Sequence, residues 1–239
     1  MSIDWLASTQ VANNLGGTGP GPDPSNCQCL RYQSIGHHLG ASIDLVVRVA
    51  PGSTYQATGD PTANRKLPRL GQITMRQGTY TDFEITFEYT PPSAGRRLQQ
   101  GSPIFFQNTY LTVMDLEAFG GERREYIYLR DATEIFLTPG TQIVRGPPSI
   151  SPADGYNEMF YGRRVVGTWN DPSDPLQLNI GQRDLAVTAR YENTNVMRVR
   201  VGTVGGWLAY PVFFASSSNL APLCEPPSPP PPPPPAPPP

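Results

Sequence analysis

Charge is scarce in this chain of 239 residues. Only 16% of its residues are charged, 18 basic and 20 acidic, and the formal net charge is −2. Soluble domains usually carry about 25%. No run of Lys or Arg exists, and the pairs Arg96–Arg97, Arg123–Arg124 and Arg163–Arg164 stand apart from one another. That excludes a basic field for nucleic acid and a polybasic anchor for anionic lipid. No stretch approaches the roughly 18 apolar residues of a membrane-spanning helix. The first residues, M-S-I-D-W-L-A-S-T-Q, lack a basic start and an apolar stretch, so they are not a secretory signal. Amphipathic helical periodicity is missing too, as are an N-x-S/T sequon and an internal repeat.

Histidine and cysteine are nearly absent. The two histidines, His37 and His38, are adjacent. No G-x-S-x-G motif lies near them, so nucleophilic catalysis has little to build on. The three cysteines are Cys27, Cys29 and Cys224. Their spacing lacks the C-x₂₋₄-C of a zinc site. They are disulfide candidates, and a bridge from Cys27 or Cys29 to Cys224 would tie the two ends of the body together. Closing so long a loop stabilises by about 4–5 kcal/mol in the chain-entropy model. Three reduced thiols are the alternative.

What is plentiful is proline, with 29 residues, and glycine, with 23. Many of the prolines stand in the last stretch, E-P-P-S-P-P-P-P-P-P-P-A-P-P-P, from Glu225 to Pro239. Proline fixes φ and lacks an amide hydrogen. The run therefore predicts a polyproline II rod rising about 3.1 Å per residue, a stalk, spacer or groove ligand rather than part of a core. The chain stops inside the run, which predicts that the rod continues beyond Pro239.

The body before it reads as strands. Thr81–Tyr89, T-D-F-E-I-T-F-E-Y, alternates throughout. Phe83, Ile85, Phe87 and Tyr89 take one face; Asp82, Glu84, Thr86 and Glu88 take the other. Period two of this quality marks a half-buried antiparallel strand. Further strands are predicted at Ile43–Val49, Ile104–Met114, Gln142–Val144, Phe160–Trp169, Ala186–Tyr191, Val196–Val204 and Trp207–Phe214. Tyr126–Leu129 and Thr133–Leu137 read as a tight pair around Arg130–Asp131, and Gly205–Gly206 as a hairpin turn. Residues 51–71 read as loop, and 176–185 as holding one helical turn. The expected fold class is all-β, a β-sandwich or jelly roll, followed by the polyproline II tail. Residues 1–29 form an N-terminal segment with a Gly/Pro loop, 30–224 the sandwich and 225–239 the rod.

Asp115, Glu117, Glu122 and Glu125 crowd a turn around Gly120–Gly121. Hard oxygen donors on a turn suit calcium, which takes six to eight of them, so these four form the candidate calcium set against a plain solvated turn. Asp171 and Asp174 are spaced as an Asx-turn pair or a second calcium loop. Three tryptophans and eleven tyrosines could stack on sugar rings, although most keep phase with core positions. Beyond calcium no cofactor is expected.

Four short motifs carry a resemblance: F-F-Q-N-T-Y-L-T-V-M-D-L-E, E-R-R-E-Y-I-Y-L, V-V-G-T-W-N-D-P-S-D-P-L-Q-L and F-F-A-S-S-S-N-L, within 80–137 and 161–220. They resemble a domain of surface proteins from microalgae and other protists. The S-P-P-P run resembles the hydroxyproline-rich glycoproteins of green algal walls and cilia. The resemblance implies an extracellular β-sandwich used in coats, walls or ciliary appendages. It also implies hydroxylation and O-glycosylation at Ser228 and at Pro229, Pro230, Pro231, Pro232, Pro233, Pro234 and Pro235. The expected function is a structural, non-enzymatic module at the cell surface, with copies of itself or related glycoproteins as partners. It would contact no nucleic acid and insert into no membrane; the missing signal argues against secretion. The alternatives are a carbohydrate-binding module on a Pro-rich linker and a viral jelly-roll coat protein. A hydrolase is the weakest option.

Overall fold

A computed structural model describes residues 2–21, 27–90, 103–118, 123–146, 156, 158–163, 171–205 and 209–216. The proline rod, Ser228, Glu122 and Cys224 lie outside these residues. The chain forms, in order, strands β1 (Ser2–Ile3), β2 (Thr9–Asn13), β3 (Cys29–His38), β4 (Ala41–Val49), β5 (Arg65–Leu67), β6 (Leu70–Met75), β7 (Tyr80–Tyr89) and β8 (Phe106–Met114). There follow β9 (Arg124–Arg130), β10 (Glu134–Phe136), β11 (Ile143–Gly146), β12 (Glu158–Gly162), β13 (Val187–Thr194), β14 (Met197–Val204) and β15 (Tyr210–Ala215). The one α-helix among the described residues, α1 (Ile180–Asp184), falls where the sequence placed a helical turn. Asn179 caps it, accepting from Gln182 N–H while the Gln182 side chain accepts from Asn179 N–H.

The strands make an antiparallel β-sandwich. A nine-stranded sheet runs β1-β3-β4-β7-β14-β9-β12-β11, with β2 pairing β3 off that path. A six-stranded sheet runs β10-β13-β8-β15-β6-β5. The core lies between them, as packing face to face requires. Phe83, Ile85 and Phe87 of β7, with Leu45 and Val47 of β4, are buried in one cluster with Leu111 and Val113 of β8 and Val212 and Phe214 of β15. The alternation of Thr81–Tyr89 therefore points its apolar residues inward. The N-terminal segment joins the same body: β1 and β2 both pair β3, and Trp5 packs edge-on against Tyr32 and Phe214.

Two expected hairpins are not hairpins. β9 pairs β14 and β12 in the larger sheet, whereas β10 pairs β13 in the smaller one. The chain changes sheet after Arg130, at Asp131, whose φ of 62° turns it sharply. β14 and β15 likewise lie in different sheets. The reading of 51–71 as loop misses β5 and the start of β6. Gly71, Gln72 and Thr74 dilute the β pattern there. Gly71 faces Phe214 in register, and the ring lies where a Cβ would stand.

Three acidic positions of β7 and one of β4 meet basic residues across the outer face of the larger sheet. Asp82 lies opposite Arg200, and Glu84 opposite Arg198 with Nε–Oε1 at 3.0 Å. Glu88, 1% exposed, takes Arg31 at 2.6 Å and also Arg48. Asp44 takes Arg31 at 2.9 Å. Buried carboxylates need such partners, because an unpaired charge away from water is costly.

Candidate functional site

An open polar concavity lies at the rim where two segments cross between the sheets. Residues 50–64 leave β4 for the smaller sheet, and 76–79 return from β6 to β7. Between them a groove of about 490 Å³ is lined by Pro51–Thr54, Gln56, Gly78–Tyr80, Asp82 and Arg200. Gly52 (φ 82°) and Gly78 (φ 67°) form the crests of the two walls, and around each a Cβ would find open space. The walls are tied down by their own backbone. Asp82 N–H donates to Ser53 Oγ at 2.9 Å, Thr81 Oγ1 to the Thr54 carbonyl at 2.9 Å, and Gly78 N–H to Thr203 Oγ1 at 3.0 Å.

The floor is built by cross-strand register. Arg200 of β14 stands opposite Asp82 of β7, and Gly202 opposite Tyr80. The guanidinium makes two bonds to the Asp82 carboxylate, Nη2–Oδ2 at 2.8 Å and Nε–Oδ1. The same guanidinium lies over the Tyr80 ring at 4.5 Å and over Tyr156 at 4.8 Å. The hydrogen bond to Asp82 pushes Arg200 further above its ordinary pKa. Burial, then the charge and hydrogen bond of Asp82, push the Tyr156 hydroxyl up. Tyr128 packs against both Tyr156 and Tyr126. Burial raises Tyr126 to about 12. Tyr80 itself is 52% exposed, so a ring held on one side by a cation stays open to the groove. The exposed Thr54 hydroxyl and Gln56 amide stand on the wall beside it.

The sequence reading did not single out this constellation. Its signal was the acidic alternation of β7 matched by Arg198-Val199-Arg200. The match becomes visible only when β7 and β14, more than a hundred residues apart, are known to pair.

Of the residues that it did single out, Asp115, Glu117 and Glu125 meet beneath the end of β8. All three are buried, with Asp115 6% and Glu125 1% exposed. Glu117 N–H donates to Glu125 Oε2 at 3.1 Å, and Glu125 N–H to the Glu117 carbonyl at 2.9 Å. Asp115 adopts φ 67°, and its Oδ1 has no hydrogen-bond partner. Burial first, then Glu117 and Asp171, push Asp115 up to about 8; burial and Asp115 push Glu125 well above the carboxylate range. Among the described residues no group of three or more His, Cys, Asp or Glu is placed to hold a metal ion. Asp115, Glu117 and Glu125 thus form a buried acid cluster rather than a solvated one.

Asp174 serves a structural turn, accepting from Leu176 N–H and pairing with Arg69 at 3.1 Å. His38 Nδ1 lies 3.1 Å from the Tyr89 hydroxyl, and its ring packs edge-on to Phe106. Cys27 is joined to Cys29. This short pairing replaces the expected bridge from one of them to Cys224, since two cysteines flanking one residue, Gln28 at φ 47°, already bring their Cα atoms to 5.2 Å.

No protein-family model and no curated protein matches the sequence. Among solved structures, the fold is similar to the N-terminal domain of the Streptococcus gordonii adhesin Sgo0707, with TM-score 0.47 and 10% identity over 80% of this chain and 46% of that one. It is also similar to the glucan binding protein C of Streptococcus mutans, which mediates sucrose-independent and sucrose-dependent adherence, with TM-score 0.40 and 13% identity over 79% of this chain and 56% of that one. The chain thus spans about half the length of these two.

Proposed function

We propose that this chain is a non-catalytic recognition module of the cell surface, whose β-sandwich head binds carbohydrate in the groove beside Tyr80. The observation that carries the reading is an exposed tyrosine ring braced from behind by Arg200 in a polar, solvent-open groove. A pyranose offers an apolar C–H face and a rim of hydroxyls. An aromatic ring takes the former, and fixed hydroxyl, amide and carboxylate groups take the latter. A groove of this kind suits a carbohydrate module better than the flat contact surface that assembly from copies of the chain would favour. The proline-rich end then acts as a spacer carrying the head, with Ser228 and Pro229–Pro235 as sites of O-linked sugar.

The test is affinity electrophoresis of the full chain through gels containing soluble polysaccharides. Retardation in at least one gel, abolished by Tyr80→Ala, is expected. Retardation in none, or retardation indifferent to Tyr80→Ala, would end the proposal. Mass spectrometry of the native C-terminal peptide tests the spacer, with hydroxylated prolines bearing pentoses expected.

A further inference from the structure

The groove's charge balance sets its ligand class. Asp82 and Arg200 are the two charged residues among its lining, and they face each other across paired strands. The guanidinium is fully oriented by this pairing. Two of its nitrogens hold the carboxylate, and its faces lie against Tyr80 and Tyr156. A carboxylate or sulfate seeking the same two-pronged contact would have to displace Asp82, which already presents the fork geometry an arginine prefers. It would also meet the Asp82 charge at close range. Hydroxyl groups carry no such penalty. They can donate to the outer lone pairs of Asp82 and exchange hydrogen bonds with Thr54 and Gln56 while the ion pair stays intact.

Given the reading of the groove as a saccharide site, we infer that it selects neutral sugars and rejects uronic acid and sulfated ones, with the Asp82–Arg200 pair as the specificity filter. Asp82 has two parts in this: it accepts from the ligand and it cancels the cation. Tyr80 supplies the stacking face and takes no part in the charge filter, so the two contributions separate by mutation.

The experiment is isothermal titration calorimetry of the full chain at physiological salt against matched pairs of polysaccharide. Dextran is set against dextran sulfate, a linear galactan against a carrageenan, and hydroxyethyl cellulose against carboxymethyl cellulose. The neutral member of a pair should bind, and its charged counterpart should bind roughly tenfold to a hundredfold more weakly, the worth of one charge-assisted hydrogen bond. Asp82→Asn should narrow or reverse that ratio, because the Arg200 charge is then no longer cancelled by Asp82, and the anionic binding so gained should fade as salt is raised. Tyr80→Ala should weaken binding to the neutral member. Should a charged member bind as well as or better than its neutral partner, in a manner lost in Tyr80→Ala, the filter is wrong while the groove remains the saccharide site. Should a Tyr80-dependent neutral preference persist unchanged in Asp82→Asn, the filter is also wrong. Should no polysaccharide bind, or binding ignore Tyr80, both readings fall together.

Discussion

Asp115→Asn should stabilise the head at neutral pH and lose that advantage in acid. Asp115 is buried, one carboxylate oxygen lacks a partner, and Glu117, Glu125 and Asp171 surround it. Its pKa is raised from 3.8 to about 8. In the unfolded chain the group ionises near pH 4; in the folded head it keeps its proton until about 8. A raised folded-state value means that the stabilisation is fully present below pH 4 and drains away as pH rises to 8. At pH 7 the deficit is about 4 kcal/mol at 1.36 kcal/mol per pKa unit. Asparagine, neutral in both states, removes that deficit. It introduces an amide whose buried N–H groups cost about 1–3 kcal/mol if unpaired. The net gain at pH 7 is therefore about 1–3 kcal/mol, and the variant's advantage should shrink by about 3–4 kcal/mol between pH 7.5 and pH 4.5. Urea unfolding followed by far-UV circular dichroism at both pH values measures the difference directly. An increment that is the same at both, or a wild-type head that gains stability from pH 4.5 to 7.5 and a variant that gains as much, would refute the protonated burial of Asp115.

Three further outcomes rest on other contacts. Glu88→Gln removes the charge shared by Arg31 and Arg48 and turns one acceptor into a donor on a residue that is 1% exposed, and should cost about 2–4 kcal/mol in chemical denaturation. Gly71→Ala places a methyl group in the Phe214 ring and should cost about 1–3 kcal/mol, read as a lowered Tm. Cys27→Ser opens a ring spanning a sequence separation of 2, so oxidised wild type and variant should differ by only about 1–2 kcal/mol in the chain-entropy model.

The fold class was legible because strand alternation is a local property. T-D-F-E-I-T-F-E-Y shows its period without reference to the rest of the chain. Strand partnership is not local, and there the reading went astray. Tyr126–Leu129 and Thr133–Leu137 have the spacing of a hairpin, yet each finds its partner in a different sheet. β3 was obscured by Ser34 (φ 57°) and Gly36, where the register with β4 shifts. The groove was illegible for the same reason. Tyr80, Asp82 and Arg200 are unremarkable residues in sequence, and only β7–β14 pairing makes them a site. The crowding of Asp115, Glu117 and Glu125 is visible in the sequence, but their burial, with Asp171 nearby, is not, because it depends on segments distant along the chain.

The middle of the larger sheet is assembled from β4, β7, β14 and β9, segments far apart along the chain and out of sequential order. During synthesis β7 and β9 leave the ribosome well before β14, the strand that separates and satisfies them both. Each therefore waits with an unmatched backbone edge until residue 204 has been made, and the slow, long-range closure of loops governs when the head forms. Nascent chains cut short of β14 would carry two such edges at once, the template on which strands of neighbouring molecules add.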